Sequence, residues 1–291
     1  MYRPAGISIE VRSNTLKKIT CLIDNSVKQS SRFWGEHGLS FCLETDGACA
    51  LFDTGRSEVV LSHNLGLLGK CLRDAVALVL SHAHLDHTGG LPGVLAKKPG
   101  LPLYASPDLF RPRFTLREDT YKPIGLPLTQ KELTQFADLH VSAAPVEVLP
   151  GLWTTGEINE RSEPEGRSTR HFVPDGDGWQ PDPYRDDMSM VMETQDGLVV
   201  ICGCCHAGLL NTLAHVQRTF QQSIHTIVGG THLVNADEAY LQHVIEVLRD
   251  TYGQLRFYLN HCTGEQAYLA LANAFGDRVN LCPAGTSLDF E

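Results

Sequence analysis

"AVALVLSHAHLDHTGG", residues 75–90, decides how the rest of this chain is read. An apolar run, Ala75 to Leu80, passes directly into a segment with three histidines and one aspartate between His82 and His87. A short, wholly apolar run reads as a strand buried on both faces. A strand that empties into a polar loop is where α/β proteins commonly place their chemistry. One histidine after a strand is ordinary surface decoration. Four metal-binding groups at H-x-H-x-D-H spacing, closed by Thr-Gly-Gly, are not. In a turn, His82 and His84 can point the same way while Asp86 and His87 swing to a neighbouring position. Two binding positions result, one with two imidazoles and one with a carboxylate and an imidazole. Those donors suit Zn2+, Fe or Mn2+ better than Ca2+ or Mg2+.

Outward from this stretch, the first half reads as successive strands: "ISIEVR", "KITCLID", "LSFCLETD" and "ACALFDTG". "SEVVLSHNLGLLG" has helical spacing, and "GLPGVLAKKP" predicts a helix after the Gly-Gly turn. From about 105 to 186 the periodicity weakens and Pro, Arg and acidic residues crowd in, which predicts a loop-rich insertion. Arg111, Arg113, Arg117 and Lys122 within it offer charge to an anionic group, or simply a solvated face. Pattern returns with "MSMVMETQDGLVVICGCCHAG", two strands joined by a turn, then a helix at "LLNTLAHVQRTF". A strand "IHTIVGGTHL", a helix "DEAYLQHVIEVLRDTY" and a strand "LRFYLNHCTG" follow. Strands and helices recur in two similar halves, so two sheets covered by helices are expected, within a single domain over residues 1–291.

Three later strand ends also bring histidines beside glycine: His206, His232 and His261. Singly, each is as readily a packed core histidine. Together with the first cluster they complete the coordination shells of two metals. Asp53, on the turn of "FDTG", is either a turn cap or the acceptor of an N–H from a metal-bound imidazole. His63, His140, His215, His225 and His243 sit in helical or strand patterns without such context and are read as surface or core residues.

The chain has 291 residues, 42% hydrophobic and 20% charged, ordinary values for a globular protein with a sizeable core. Its formal charge of −10 argues against non-specific nucleic-acid binding. An anionic small-molecule substrate stays compatible, because a bound metal can reverse the local sign. The start lacks the apolar core of a signal peptide, and no later stretch reaches membrane-spanning length; a cytoplasmic protein with no membrane partner is expected. Nine cysteines without framework-like spacing are read as reduced thiols. Oligomeric state is left open, a homo-oligomer included.

These motifs resemble the metallo-β-lactamase superfamily. "LSHAHLDHTGG" matches its H-x-H-x-D-H signature, and "LFDTG" matches the aspartate motif before it. The wider set, "EHGLSFCLET", "DDMSMVMETQDGLVVICGCCHAG", "VGGTHL" and "NHCTG", is similar to the branch of dihydropterin-methyl-aminobenzene-phosphate synthase-like metallohydrolases. It spans roughly residues 20 to 285. The resemblance implies an αββα sandwich of two mixed sheets flanked by helices, with a dinuclear metal site at one edge. It implies His82 and His84 at the first metal, and Asp86, His87 and His261 at the second. This chain departs from the usual pattern at two places. "YRDDMSMV" stands where a further histidine is usual, and Cys204 stands where a bridging aspartate is usual. His206 is therefore assigned as the third ligand of the first metal. Cys204, Asp187 and His232 are second candidates for ligation or substrate contact, and His37 is expected at the rim.

Two divalent ions, Zn2+ by expectation with Mn or Fe also fitting, would make the chain a hydrolase that activates water. Asp86 is the expected catalytic residue, orienting the attacking water. A phosphoester or another small ester, lactone or amide is the expected bond, and a pterin-like or anionic substrate is implied only by the resemblance. Competing readings are a synthase joining a dihydropterin to an aminobenzene ribosyl phosphate, and a non-catalytic metal-binding protein. A di-iron redox enzyme fits less well: that type has glutamate where this chain has His84, and carries a flavin domain for which 291 residues leave no room.

Overall fold

The computed structural model describes residues 16–291. The strand expected at "ISIEVR" lies outside the described residues. Two seven-stranded sheets form the centre. In the first, Ser287–Phe290, Lys17–Ile23, Ser40–Thr45 and Ala48–Phe52 run antiparallel in that order, then Ala75–Val79, Leu101–Ala105 and Ala137–Val141 add in parallel. The second repeats the scheme. Val279–Leu281, Arg256–Leu259, Ile224–Gly229 and Gly197–Cys202 are parallel, and Met190–Thr194, Leu152–Thr154 and Glu147–Leu149 are antiparallel.

The alternation of side chains explains the layers. Along Ala48–Phe52, Cys49 and Leu51 face helices while Ala50 and Phe52 face the other sheet. Along Gly197–Cys202, Leu198, Val200 and Cys202 pack under helices, and Val199 and Ile201 meet the first sheet. Both faces are covered, so the strands read as unbroken apolar runs. Glu58–Leu67, Leu91–Lys97 and Gln130–Phe136 cover the first sheet. Leu209–Phe220, Glu238–Tyr252 and Glu265–Phe275 cover the second. Glu238–Tyr252 shows how locally this is encoded: Asp237 accepts the Tyr240 N–H at 2.8 Å to cap it, and Leu241, Val244, Ile245 and Leu248 form its buried stripe. The expected αββα sandwich is the observed one.

The insertion differs from the expected loop-rich segment. Ala137–Val141 joins the first sheet, and Glu147–Leu149 and Leu152–Thr154 join the second. Phe114–Arg117, Thr120–Pro123, His171–Asp175 and Gly178–Pro181 form a third, four-stranded sheet. Its strands are four or five residues long and held on one face by aromatic contacts such as Tyr121 stacked on Trp179, ring centroids 3.8 Å apart. Among the described residues, no helix is long and apolar enough to cross a membrane.

Candidate metal centre

The site lies where parallel strands of both sheets end, which is where open α/β sheets commonly bind ligands. Ala48–Phe52 delivers Asp53; Ala75–Val79 delivers His82 to His87; Gly197–Cys202 delivers Cys204 and His206; Ile224–Gly229 delivers His232; Arg256–Leu259 delivers His261. Asp53, Tyr184, Cys205, His232 and His261 all have φ between 47° and 61°. Such left-handed backbone is uncommon outside glycine and concentrates at functional sites.

Hydrogen bonds fix how four imidazoles present their nitrogens. Ser81 has one hydroxyl proton, and it is directed to Asp53 Oδ2 at 2.7 Å; Ser81 Oγ therefore accepts from His82 Nδ1 at 2.9 Å. His87 Nδ1 donates to Asp53 Oδ2 at 2.7 Å, and His206 Nδ1 donates to the Gly166 carbonyl at 2.8 Å. His261 Nδ1 lies 3.2 Å from Asn25 Oδ1, while its backbone N–H is held by Asp24 Oδ1 at 2.8 Å. Each of the four is thus held by Nδ1 with its Nε2 turned toward the centre, the arrangement that outer hydrogen bonds give to metal-binding imidazoles. His84 is the exception, turning Nδ1 to within 3.0 Å of His82 Nε2.

The free donors gather in two groups. His82, His84 and His206 have donor atoms all within 4.8 Å of one another, and His206 Nε2 is buried with no hydrogen-bond partner. In the second group, His87 Nε2 is 3.2 Å from His261 Nε2, and Asp86 Oδ2 is 3.8 Å from the former and 3.5 Å from the latter. Cys204 Sγ, 3.3 Å from His87 Nε2, belongs with His82 and His87 and so lies between the two groups. Acceptor lone pairs facing each other at contact distance need a proton or a cation between them. Two nitrogens on one tetrahedral zinc, each at about 2.0–2.1 Å, are about 3.3 Å apart, so these donors fit a metal.

Electrostatics follow the same division. Burial pushes His82, His84 and His206 well below the ordinary histidine value, so the first group is neutral and ready to bind a cation. His87 differs. Burial opposes its charge, but Asp53 and Asp86 outweigh that and bring it up to about 9; His261, buried beside it, is pushed down to about 3. Asp86, despite its burial, is held below the usual carboxylate range by His87 and His261.

Every residue expected at the first metal, and every one expected at the second, comes together here. Asp53 meets its expected imidazole. His37 stands exposed at the rim, 3.4 Å from Asp86 Oδ2. His232 lies alongside, its ring 4.3 Å from His206, outside both donor groups. Asp187 is buried under the 203–208 turn, accepts the Ala207 N–H at 2.9 Å, and is pushed up to about 6 by burial. Arg113 corrects the expectation of a solvated face: it is fully buried, hydrogen-bonded to Asp108 at 3.0 Å and ion-paired with Asp182 at 3.1 Å and Asp186 at 2.5 Å. Asp186 in turn accepts the N–H of Ala83, between the first two histidines, at 2.7 Å. Sequence reasoning missed this brace, and it missed His171, whose ring lies 4.9 Å from His84 and whose Nδ1 is 2.8 Å from the Tyr184 hydroxyl. Tyr184 itself stacks on His206 at 4.1 Å. Nothing in "RSTRHFVPD" marks that histidine, since no apolar strand leads into it.

An αββα sandwich carrying clustered imidazoles, a carboxylate and a thiol at its strand ends defines a class of metal-dependent fold. The chain belongs to the metallo-β-lactamase superfamily: the model of that family matches residues 34–204. It is similar to the 7,8-dihydropterin-6-methyl-4-(beta-D-ribofuranosyl)-aminobenzene-5'-phosphate synthase of Methanocaldococcus jannaschii, 28% identical over 284 residues, covering 94% of this chain and 96% of the relative. Among solved structures, it is similar to a metal-dependent hydrolase of the beta-lactamase superfamily, with a TM-score of 0.78, 26% identity, and coverage of 94% of this chain and 98% of that one. Zn(2+)-bound PqqB from Methylobacterium extorquens shares the fold, with a TM-score of 0.55 at 13% identity over 94% of this chain and 100% of that one.

Proposed function

We propose that this protein is a metal-dependent hydrolase acting on a small phosphoester, or on another small ester, lactone or amide, through a dinuclear centre. The observation that carries the reading is the convergence of imidazole Nε2 atoms, oriented by outer hydrogen bonds, into two adjacent groups. His82, His84 and His206 would hold one divalent ion, and Asp86, His87 and His261 the other, with zinc the expected metal. When bound, such a pair acidifies water and stabilises the charge that develops on attack.

The chain's own groups do the rest. Asp86, ionised and only partly exposed, would orient the attacking water and hold its proton by accepting a hydrogen bond. His171, 4.9 Å from the His84 ring, and His232, 4.3 Å from the His206 ring, flank the first group and would contact substrate. Arg170 and Arg117 act on His171 as positive charges while Asp86 acts in the opposite sense; a bound metal would supply the positive charge that attracts an anion. A small-molecule substrate that is anionic, pterin-like ones included, suits this field. The nine unbridged cysteines suit a reducing, cytoplasmic setting.

A second reading comes from the Methanocaldococcus relative, whose name describes a synthase acting between a dihydropterin and an aminobenzene ribosyl phosphate. The test of both is one screen on metal-loaded protein, with the chelated protein as control. It sets phosphodiester, lactone and thioester substrates beside the two synthase precursors. Chelator-sensitive hydrolysis supports the first reading; condensed product without hydrolysis of any substrate replaces it with the second.

A further inference from the structure

Cys262 follows His261 directly, and its sulfur does not pack away into the core. Cys262 Sγ, Cys204 Sγ and a His261 ring nitrogen all lie within 4.8 Å of one another. Cys204 Sγ also meets His87 Nε2 at 3.3 Å, so one sulfur reaches each imidazole of the second group. Cys262 Sγ accepts the backbone N–H of His232 at 3.3 Å. An outer N–H of this kind fixes where the sulfur points, as outer hydrogen bonds do for metal ligands. The space is kept open by backbone: a Cβ at Gly230 would come within 2.6 Å of Cys262 Sγ. Two other neighbouring cysteines, Cys202 and Cys205, turn into the apolar core under the helices and make no such approach.

We propose that Cys204 and Cys262 are both thiolate ligands at the second metal position, beside His261. This rests on the dinuclear reading above. Each thiol would lose its proton to solvent as its metal–sulfur bond forms, with no change in oxidation state. The consequence is a division of labour between the positions. The first is imidazole-only; the second combines imidazole and thiolate, which selects zinc, or another metal that accepts sulfur, over manganese or magnesium.

The test is X-ray absorption at the zinc edge on the wild-type protein reconstituted with zinc alone, followed by cobalt substitution. Two sulfur neighbours for each pair of zinc ions, at about 2.3 Å, are expected. In the cobalt protein, Cys262→Ser should remove half of the thiolate charge-transfer absorption and weaken the second ion at least about tenfold, the lower end of what loss of an outer partner already costs. Cys204→Ser should remove the other half. The melting temperature of each metal-free variant checks that the fold survives; the absorption measurement on wild type needs no variant. Two bound zinc ions with only nitrogen and oxygen neighbours would overturn the inference and leave the hydrolase reading standing. Full charge-transfer absorption in Cys262→Ser would overturn the role of that residue. A protein that takes up neither metal would overturn both the inference and the reading beneath it.

Discussion

Asp53 and His87 form a fully buried pair, carboxylate Oδ2 to ring Nδ1 at 2.7 Å, joining the ends of two parallel strands of the first sheet. The same carboxylate takes both the N–H and the O–H of Ser81 at 2.7 Å, so one side chain orients His87 directly and His82 through a hydroxyl. Asp53→Asn keeps the shape, and asparagine tolerates the left-handed backbone at this position. The substitution should lower affinity for the second metal about 10–100-fold while the protein stays folded. Competition with a chromophoric chelator measures this, and undiminished affinity for both ions would rule out the orienting role.

Arg113 holds three carboxylates in the interior, and one of them, Asp186, braces Ala83 between the first two histidines. Replacing Arg113 by methionine should destabilise the fold by about 3–5 kcal/mol, because it strands buried charge. Burial pushes Asp186 up to about 7 even with Arg113 beside it. Adding Asp186→Asn to Arg113→Met should therefore recover part of the loss. Denaturant unfolding of the two variants decides it; equal stability of Arg113→Met and wild type would show that the cluster is not an energetic brace.

How much of this was legible in sequence depended on whether an apolar run pointed at the residue. His82, His84, Asp86, His87, His206 and His261 each follow a buried strand, and the parallel direction of the strands brings their ends to the same edge. Asp53 was readable for the same reason. Asp24 and Asn25, which hold His261 through its N–H and its ring, end a strand too, in "KITCLID", and that carboxylate at a strand end was the available signal. Arg113, His171 and Tyr184 were not readable. They lie in short strands and turns dense in proline and charge, where contacts made far along the chain, not local periodicity, set the structure. The four-stranded sheet there is built from strands of four or five residues, too short for alternation to declare itself.

His206 separates two accounts of the departure at residues 204–206. Its Nδ1 is committed to Gly166 and its Nε2 is open toward His82 and His84. His206→Ala should lose the first ion and retain the second, read by metal content after dialysis. A His206→Ala protein with full metal content, alongside a Cys204→Ser protein that has lost the first ion rather than the second, would transfer the first-position role to the thiol.

The two positions should respond differently to pH. At the first, the imidazoles sit well below the ordinary histidine value, so protons do not compete with the metal between about pH 6 and 8 and affinity should be flat. At the second, His87 in the metal-free chain is raised to about 9 and carries a proton at neutral pH that the metal must displace. Raising pH removes that proton, so affinity for the second ion should rise by at least about tenfold per pH unit below 9. Calorimetric titrations in buffers of different ionisation enthalpy count the protons released at each step; equal release at both steps would contradict the assignment.

Metal content tests the central claim most directly. Elemental analysis of the purified protein, before and after reconstitution with zinc and removal of loose metal, should give about two ions per chain. Reconstitution should also restore the hydrolytic activity that chelation removes. A chain that remains metal-free under those conditions, while correctly folded by circular dichroism, would contradict the claim that these histidines, Asp86 and the facing thiols form a dinuclear centre.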